Sequence, residues 1–108
     1  MIEMSKVQLE SWLNVSAGTC FVFVYTPMCG TCKLAEKMLH VIEATVPECP
    51  LVRVNILELA NEMEHWRIES VPCLLAVRSG VVIRKLYAFR SVDYLYQQIL
   101  QLQSSDDR

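Results

Sequence analysis

An apolar run that ends in two closely spaced cysteines restricts this chain more than any other feature. Residues Cys20-Phe21-Val22-Phe23-Val24-Tyr25 form a short, aromatic and β-branched run, the composition of a buried strand. Behind the segment Thr26-Pro27-Met28-Cys29-Gly30-Thr31-Cys32-Lys33, the residues Ala35, Met38, Leu39 and Ile42 recur at three- and four-residue spacing, which predicts a helix with one apolar face. The cysteines therefore fall at a strand-to-helix junction. Cys29 lies at or just before the first helical turn, where backbone N–H groups lack intrahelical partners and the helix dipole favours negative charge, so its thiol ionises readily. Cys32 follows about one turn later, close enough for its sulfur to reach back to Cys29. Such a pair suits reversible disulfide formation.

Length and charge bound what the junction can serve. With 108 residues, 53% of them hydrophobic, the chain is expected to form one domain over 1–108 with a polar tail at about 104–108. The net charge of −2 is spread through the sequence, which argues against a basic face for nucleic acid or anionic lipid. Met1 to Glu10 carries two acids and no apolar stretch of signal-peptide length, and no segment approaches the roughly 20 apolar residues of a membrane span. A soluble, cytoplasmic, monomeric protein is expected. Five cysteines, an odd number at irregular spacing, do not resemble the disulfide framework of a small secreted domain.

The rest of the chain supplies the surroundings of the junction. Met4, Val7, Leu9, Trp12 and Leu13 predict a short amphipathic helix ending before Ser16-Ala17-Gly18. After the strand at 20–25 and the helix at about 30–45, the two prolines of Thr45-Val46-Pro47-Glu48-Cys49-Pro50 enforce a loop. Leu51 to Ile56 alternates, with Val52, Val54 and Ile56 on one side, and reads as a second strand parallel to the first. A third helix is expected from about 57 to 67, with Leu59, Met63 and Trp66 buried and Glu58, Glu62, Glu64 and Glu69 solvated. Pro72 opens the run Cys73 to Val77, and Arg78-Ser79-Gly80-Val81 turns it into Val82 to Leu86, a hairpin. Ser91 can cap a last helix carrying Val92, Leu95, Ile99 and Leu102.

This order, α-β-α-β-α-β-β-α with a C-x-x-C at the first strand-to-helix junction, resembles the thioredoxin family from about Trp12 to Leu102. Cys29-Gly30-Thr31-Cys32, Val71-Pro72 and the Gly80 turn carry the likeness. The resemblance implies an α/β thioredoxin-like fold, with a central mixed sheet of about four strands flanked by helices. It also implies a thiol–disulfide oxidoreductase, needing no cofactor or metal, that contributes to cytoplasmic redox homeostasis. Cys29 would be the attacking thiolate and Cys32 the resolving thiol. Pro72 would match the family's cis-proline, Val71 would offer its backbone to an extended substrate segment, and Met28 and Tyr25 would border the cysteines as an apolar docking surface. Substrates would be disulfide-containing proteins or low-molecular-weight disulfides, with a reductase or small thiol as electron donor.

Departures from the family pattern carry their own expectations. Phe23 stands where the family has a buried acid that helps move the proton on the second cysteine. With no carboxylate in residues 20–28, Cys32 must give its proton to water, to substrate, or to another residue. Met28 and Thr31 replace a tryptophan and a proline, so the redox poise is expected to differ. Lys37 replaces a helix-kinking proline, predicting a straighter helix. Ala88 replaces a groove glycine, predicting a narrower groove.

The alternative is a non-catalytic binding module of the same fold, holding a metal through Cys29, Cys32 and Cys73 or docking a protein. Against a structural zinc site stands the lack of a second C-x-x-C or an H-x-x-x-H. Cys73 and Cys20 head apolar strands and read as core, whereas Cys49 in its Pro-rich loop is expected to be exposed and open to oxidation. His40 and His65 have no matched ligand partner in the sequence and read as surface residues.

Overall fold

A computed structural model describes residues 1–59 and 66–104. Its core is the apolar run itself, now strand β2 (Thr19–Tyr25), placed at the centre of a five-stranded sheet. In chain order the other elements are β1 (Ile2–Glu3), α1 (Lys6–Val15), α2 (Gly30–Thr45), β3 (Leu51–Asn55), a 3₁₀ turn (Ile56–Leu59), β4 (Cys73–Arg78), β5 (Val81–Leu86) and α3 (Val92–Ser104). The strands lie in the order β1-β3-β2-β4-β5, with β1, β3 and β2 parallel and β4 and β5 antiparallel to their neighbours. Both faces are covered, so β2 reads as a continuous apolar run rather than an alternating one.

Parity along β2 assigns its side chains to two cores. Phe21 and Phe23 point to the face covered by α2 and α3, where they meet Ala35, Leu39, Ile42, Leu95 and Ile99. Val22 and Val24 point to the other face and pack with Leu9 of α1, Leu59 and Ile68. Because Phe23 is opposite Arg53 in the parallel β2–β3 register, Arg53 projects to the α2 face while Val52 and Val54 serve the other. That register brings a cation beside the helix that carries the cysteines.

Local sequence explains the boundaries. Ser5 and Gln8 form a reciprocal capping box at the start of α1, an arrangement whose serine contributes about 1 kcal/mol. Ser91 Oγ accepts the Tyr94 N–H at 3.1 Å and starts α3. Ser79 (φ 52°) and Gly80 (φ 77°) both occupy the left-handed region, as the two-residue turn of the β4–β5 hairpin requires. Lys37 sits within an uninterrupted α2.

Four expectations are corrected. The four-stranded sheet gains β1, two exposed residues pairing Ile2 with Val52 and Glu3 with Arg53. Two residues are too few for a period to register. The second strand stops at Asn55 and not at Ile56, because Asn55 Oδ1 accepts the Leu57 N–H at 3.0 Å and bends the chain into the 3₁₀ turn. That turn occupies the start of the expected third helix, whose Met63, Glu62, Glu64 and His65 lie outside the described residues. Within the turn Glu58 caps the Lys6 N–H at 2.9 Å. In α1, Val7 is exposed and the buried stripe is Leu9 with half-buried Trp12 and Leu13. Among the described residues no helix is long and apolar enough to cross a membrane.

Candidate functional site

The carboxyl end of β2 delivers the chain into Thr26-Pro27-Met28 and then into α2, so the two cysteines sit where the strand stops and the helix begins. Cys29 is the N-cap of α2, in extended conformation (φ −110°, ψ 115°), and its sulfur takes the acceptor role that a serine or aspartate oxygen fills elsewhere. The Cys32 backbone N–H reaches Cys29 Sγ at 3.1 Å, and Thr31 Oγ1 lies 3.0 Å from the same sulfur. A hydrogen bond from the Cys32 thiol, then one from the Thr31 hydroxyl, holds the Cys29 thiol below its ordinary range. The helix start anticipated from sequence is present, and Thr31 adds a donor that sequence reasoning did not single out.

Cys32 has the opposite environment. It is 3% exposed and packs in the core with Phe23 and Ala35. Burial, together with its hydrogen bond to Cys29, pushes its thiol up to about 11, partly offset by a backbone hydrogen bond from Thr26. No cysteine is disulfide-bonded in this structure.

Two concave regions flank the pair. On one side a groove of about 340 Å³ is lined by Thr31, Leu34, Ala35, Met38, Pro72, Tyr87, Phe89 and Arg90. The Val71–Pro72 bond is cis, and the fold brings Pro72 to the same groove as Thr31 from forty-one positions away in sequence. Val71 is half-buried beside it, and Ala88 is exposed between the lining residues Tyr87 and Phe89. Leu34, Tyr87, Phe89 and Arg90 are groove residues that the sequence gave no local reason to choose, since they come together only through the hairpin and α2. Met28 stands almost free at 93% exposure at the tip of the loop.

On the other side, a pocket of about 200 Å³ is lined by Tyr25, Thr26, Pro27, Cys32, Lys33, Glu36 and Arg53. Here the expected apolar role of Tyr25 is corrected. Its hydroxyl donates to Glu3 Oε2 at 2.6 Å, its ring lies under the Arg53 guanidinium at 5.4 Å, and its phenol is pushed up to about 12 by burial and by Glu3. Arg53 pairs through Nη2 with Glu3 at 3.0 Å and through Nη1 with Glu36. A guanidinium with two carboxylates on its fork makes this flank polar.

The missing acid of β2 is replaced by aromatic packing. Phe23 is fully buried, stacked on Tyr25 at 5.8 Å and edge-on to Phe89 at 6.0 Å. The other cysteines stay apart from this chemistry. Cys73 is fully buried, its thiol pushed up to about 12 by burial, and Cys20 is buried in β2. Cys49, expected to be exposed, is half-buried against the α2-side core with its thiol pushed up to about 11, because the Pro-flanked loop folds back onto the sheet. Among the described residues no group of three or more His, Cys, Asp or Glu side chains is placed to hold a metal ion, so Cys29, Cys32 and Cys73 do not form the trio of the alternative reading. His40 is an exposed residue of α2 beside Glu36 and Glu43.

Comparison with known proteins fits this geometry. The family model described as Thioredoxin matches residues 1–101. The thioredoxin-like protein YusE of Bacillus subtilis is 36% identical, over 94% of this chain and 96% of its own length. Thioredoxin of Chlamydia trachomatis is 21% identical over 80% of this chain and 84% of its own. Among solved structures, thioredoxin f2 of Chlamydomonas reinhardtii superposes with a TM-score of 0.83 at 21% identity, covering 95% of this chain and 96% of that one. Thioredoxin NaTrxh of Nicotiana alata gives a TM-score of 0.82 at 19% identity, over 94% and 91%. These structural likenesses bear on the fold.

Proposed function

Because the chain belongs to the thioredoxin family, whose chemistry is thiol–disulfide exchange, we propose that it reduces disulfides through a reversible Cys29–Cys32 dithiol/disulfide couple. The observation that carries the reading is the division between the two sulfurs. Cys29 is accessible, capped onto a helix start and lowered in pKa, whereas Cys32 is buried beside it and raised. The thiolate is the nucleophile, so Cys29 attacks a target disulfide and forms a mixed disulfide, releasing the first target sulfur as a thiolate. Cys32 then attacks Cys29 Sγ, closing the protein disulfide and expelling the second target sulfur. Two electrons pass from the dithiol to the target.

Met28, Val71 and Pro72 are the substrate-contacting residues of this proposal. Pro72 lies on the groove that runs past Thr31, and an extended segment laid there would expose its sulfur to Cys29. Targets are disulfide-containing proteins or small disulfides, and a reductase or small thiol returns the couple to its dithiol form. The proposed setting is the cytoplasm, with the protein acting as a monomer in redox homeostasis and electron transfer.

Dithiol-driven reduction of insulin tests the reading cheaply. Turnover that disappears in Cys29→Ser is expected. No turnover by the wild-type protein, with both thiols free, would leave the binding-module reading in its place.

A further inference from the structure

The resolving step requires Cys32 to lose a proton, and Cys32 is 3% exposed. Its opening toward solvent is the pocket between β2, β3 and the first turns of α2, which Cys32 itself lines. Glu36 lies one helical turn beyond Cys32, at the i+4 spacing that puts both side chains on one helix face, and both line this pocket. The other ionisable groups there are unsuited to accept a proton. Lys33 and Arg53 are cations, and Tyr25 already donates its proton to Glu3. Glu36 is the carboxylate among the lining residues.

We infer that Glu36 is the proton acceptor for Cys32, doing from the helix what an acid on β2 would otherwise do. The inference rests on the proposed Cys29–Cys32 exchange and deepens it. Arg53 of β3 fixes Glu36 through Oε1, while Oε2 is 4.0 Å from His40 Nε2 of α2. Glu3 of β1 shares the same guanidinium at 3.0 Å, and Tyr25 of β2 lies beneath it. Arg53 thereby orients the carboxylate and is a positioning residue. The pocket of about 200 Å³ carries Lys33, Glu36 and Arg53 on its wall and is roomy enough for bridging water, so no direct thiol–carboxylate contact is needed. Burial and the Cys29 sulfur hold Cys32 protonated in the dithiol, with a smaller contribution from the Glu36 charge, and the Cys29 contribution goes when that sulfur enters the mixed disulfide.

In the mixed disulfide, the Cys32 S–H proton passes through pocket solvent to Glu36 as the sulfur lone pair attacks Cys29 Sγ. The Cys29–Cys32 bond forms and the bond from Cys29 to the target sulfur breaks. Its electron pair leaves on the target sulfur, which takes up a proton from solvent, and Glu36 returns its own proton to solvent.

Stopped-flow reaction of the reduced full-length protein with 5,5′-dithiobis(2-nitrobenzoate) separates the two steps, since Cys29 attack releases one thionitrobenzoate and Cys32 resolution releases the second. In Glu36→Gln the first phase should be unchanged. The second should slow by about tenfold or more near pH 7 and rise with hydroxide concentration across the range, whereas Glu36→Asp should recover part of the lost rate. Equal second-phase rates and pH profiles in wild type and Glu36→Gln would overturn the inference. So would equal slowing in the Gln and Asp variants, or slowing of both phases together. Release of a single equivalent by the wild-type protein would instead overturn the underlying Cys29–Cys32 exchange.

Discussion

Cys29 and Cys32 belong to one helix start, three residues apart, yet the fold treats their sulfurs in opposite ways. Cys29 replaces a capping oxygen, and it meets the Cys32 N–H at 3.1 Å and the Thr31 hydroxyl at 3.0 Å. Cys32 is turned inward against Phe23, and its thiol is pushed up to about 11. One residue type in two positions thus gives an accessible thiol held low and a buried thiol pushed up, the division on which the proposed attack and resolution rest. The difference comes from which side of the chain faces the sheet. A turn at the end of a buried strand leaves its first residue outside, and the helix rotation carries the fourth residue in. Cys20 and Cys73 show the limiting case, buried in strands without a helix start.

The largest test of this contrast removes each sulfur in turn. Cys29→Ser is expected to abolish exchange, while Cys32→Ser should still attack targets and retain them as mixed disulfides visible by mass spectrometry. Wild-type turnover by Cys32→Ser would break the division of labour and point to a single-thiol pathway.

Phe23→Asp asks how much the burial of Cys32 depends on the aromatic stack. Losing a fully buried ring costs about 3–5 kcal/mol, and a lone carboxylate in its place adds desolvation unless it stays protonated. The melting temperature should fall. The resolving step should accelerate little in the wild-type background, because Glu36 already serves Cys32, and visibly in Glu36→Gln. Marked acceleration with Glu36 intact would mean that the helix carboxylate is a poor acceptor.

Thr31→Val sharpens the other half of the contrast by deleting a donor to Cys29 without touching Cys32. The Cys29 pKa should rise, and attack near neutral pH should slow by about two- to fivefold. An unchanged rate would leave the Cys32 thiol and backbone N–H as sufficient stabilisers.

Much of this was legible in the residues because it is local. The β2 run, the period of α2, the Ser79-Gly80 turn and the Ser91 cap each announce themselves within a few positions. What escaped is what depends on register or on folding back. Glu3, Arg53 and Glu36 lie on three elements, and nothing in their spacing says that one guanidinium holds both carboxylates. The β1 strand is two residues long and exposed, so it has neither a period nor a hydrophobic signature. Cys49 reads as exposed because Pro47 and Pro50 mark its segment as a loop, yet the loop packs it against the core. The absent acid at Phe23 was readable, but the Arg53-held Glu36 carboxylate on the pocket beside Cys32 was not.

The contrast between the two sulfurs is tested most directly by the pH dependence of alkylation at each cysteine of the reduced protein, resolved by peptide mass spectrometry. The thiolate is the reacting form, so each rate rises with pH through that thiol's pKa and then levels. Cys29 should inflect below the ordinary thiol value, about 8.5, and Cys32 should not inflect until about pH 11. A shared inflection, or Cys32 reacting at lower pH than Cys29, would contradict the account.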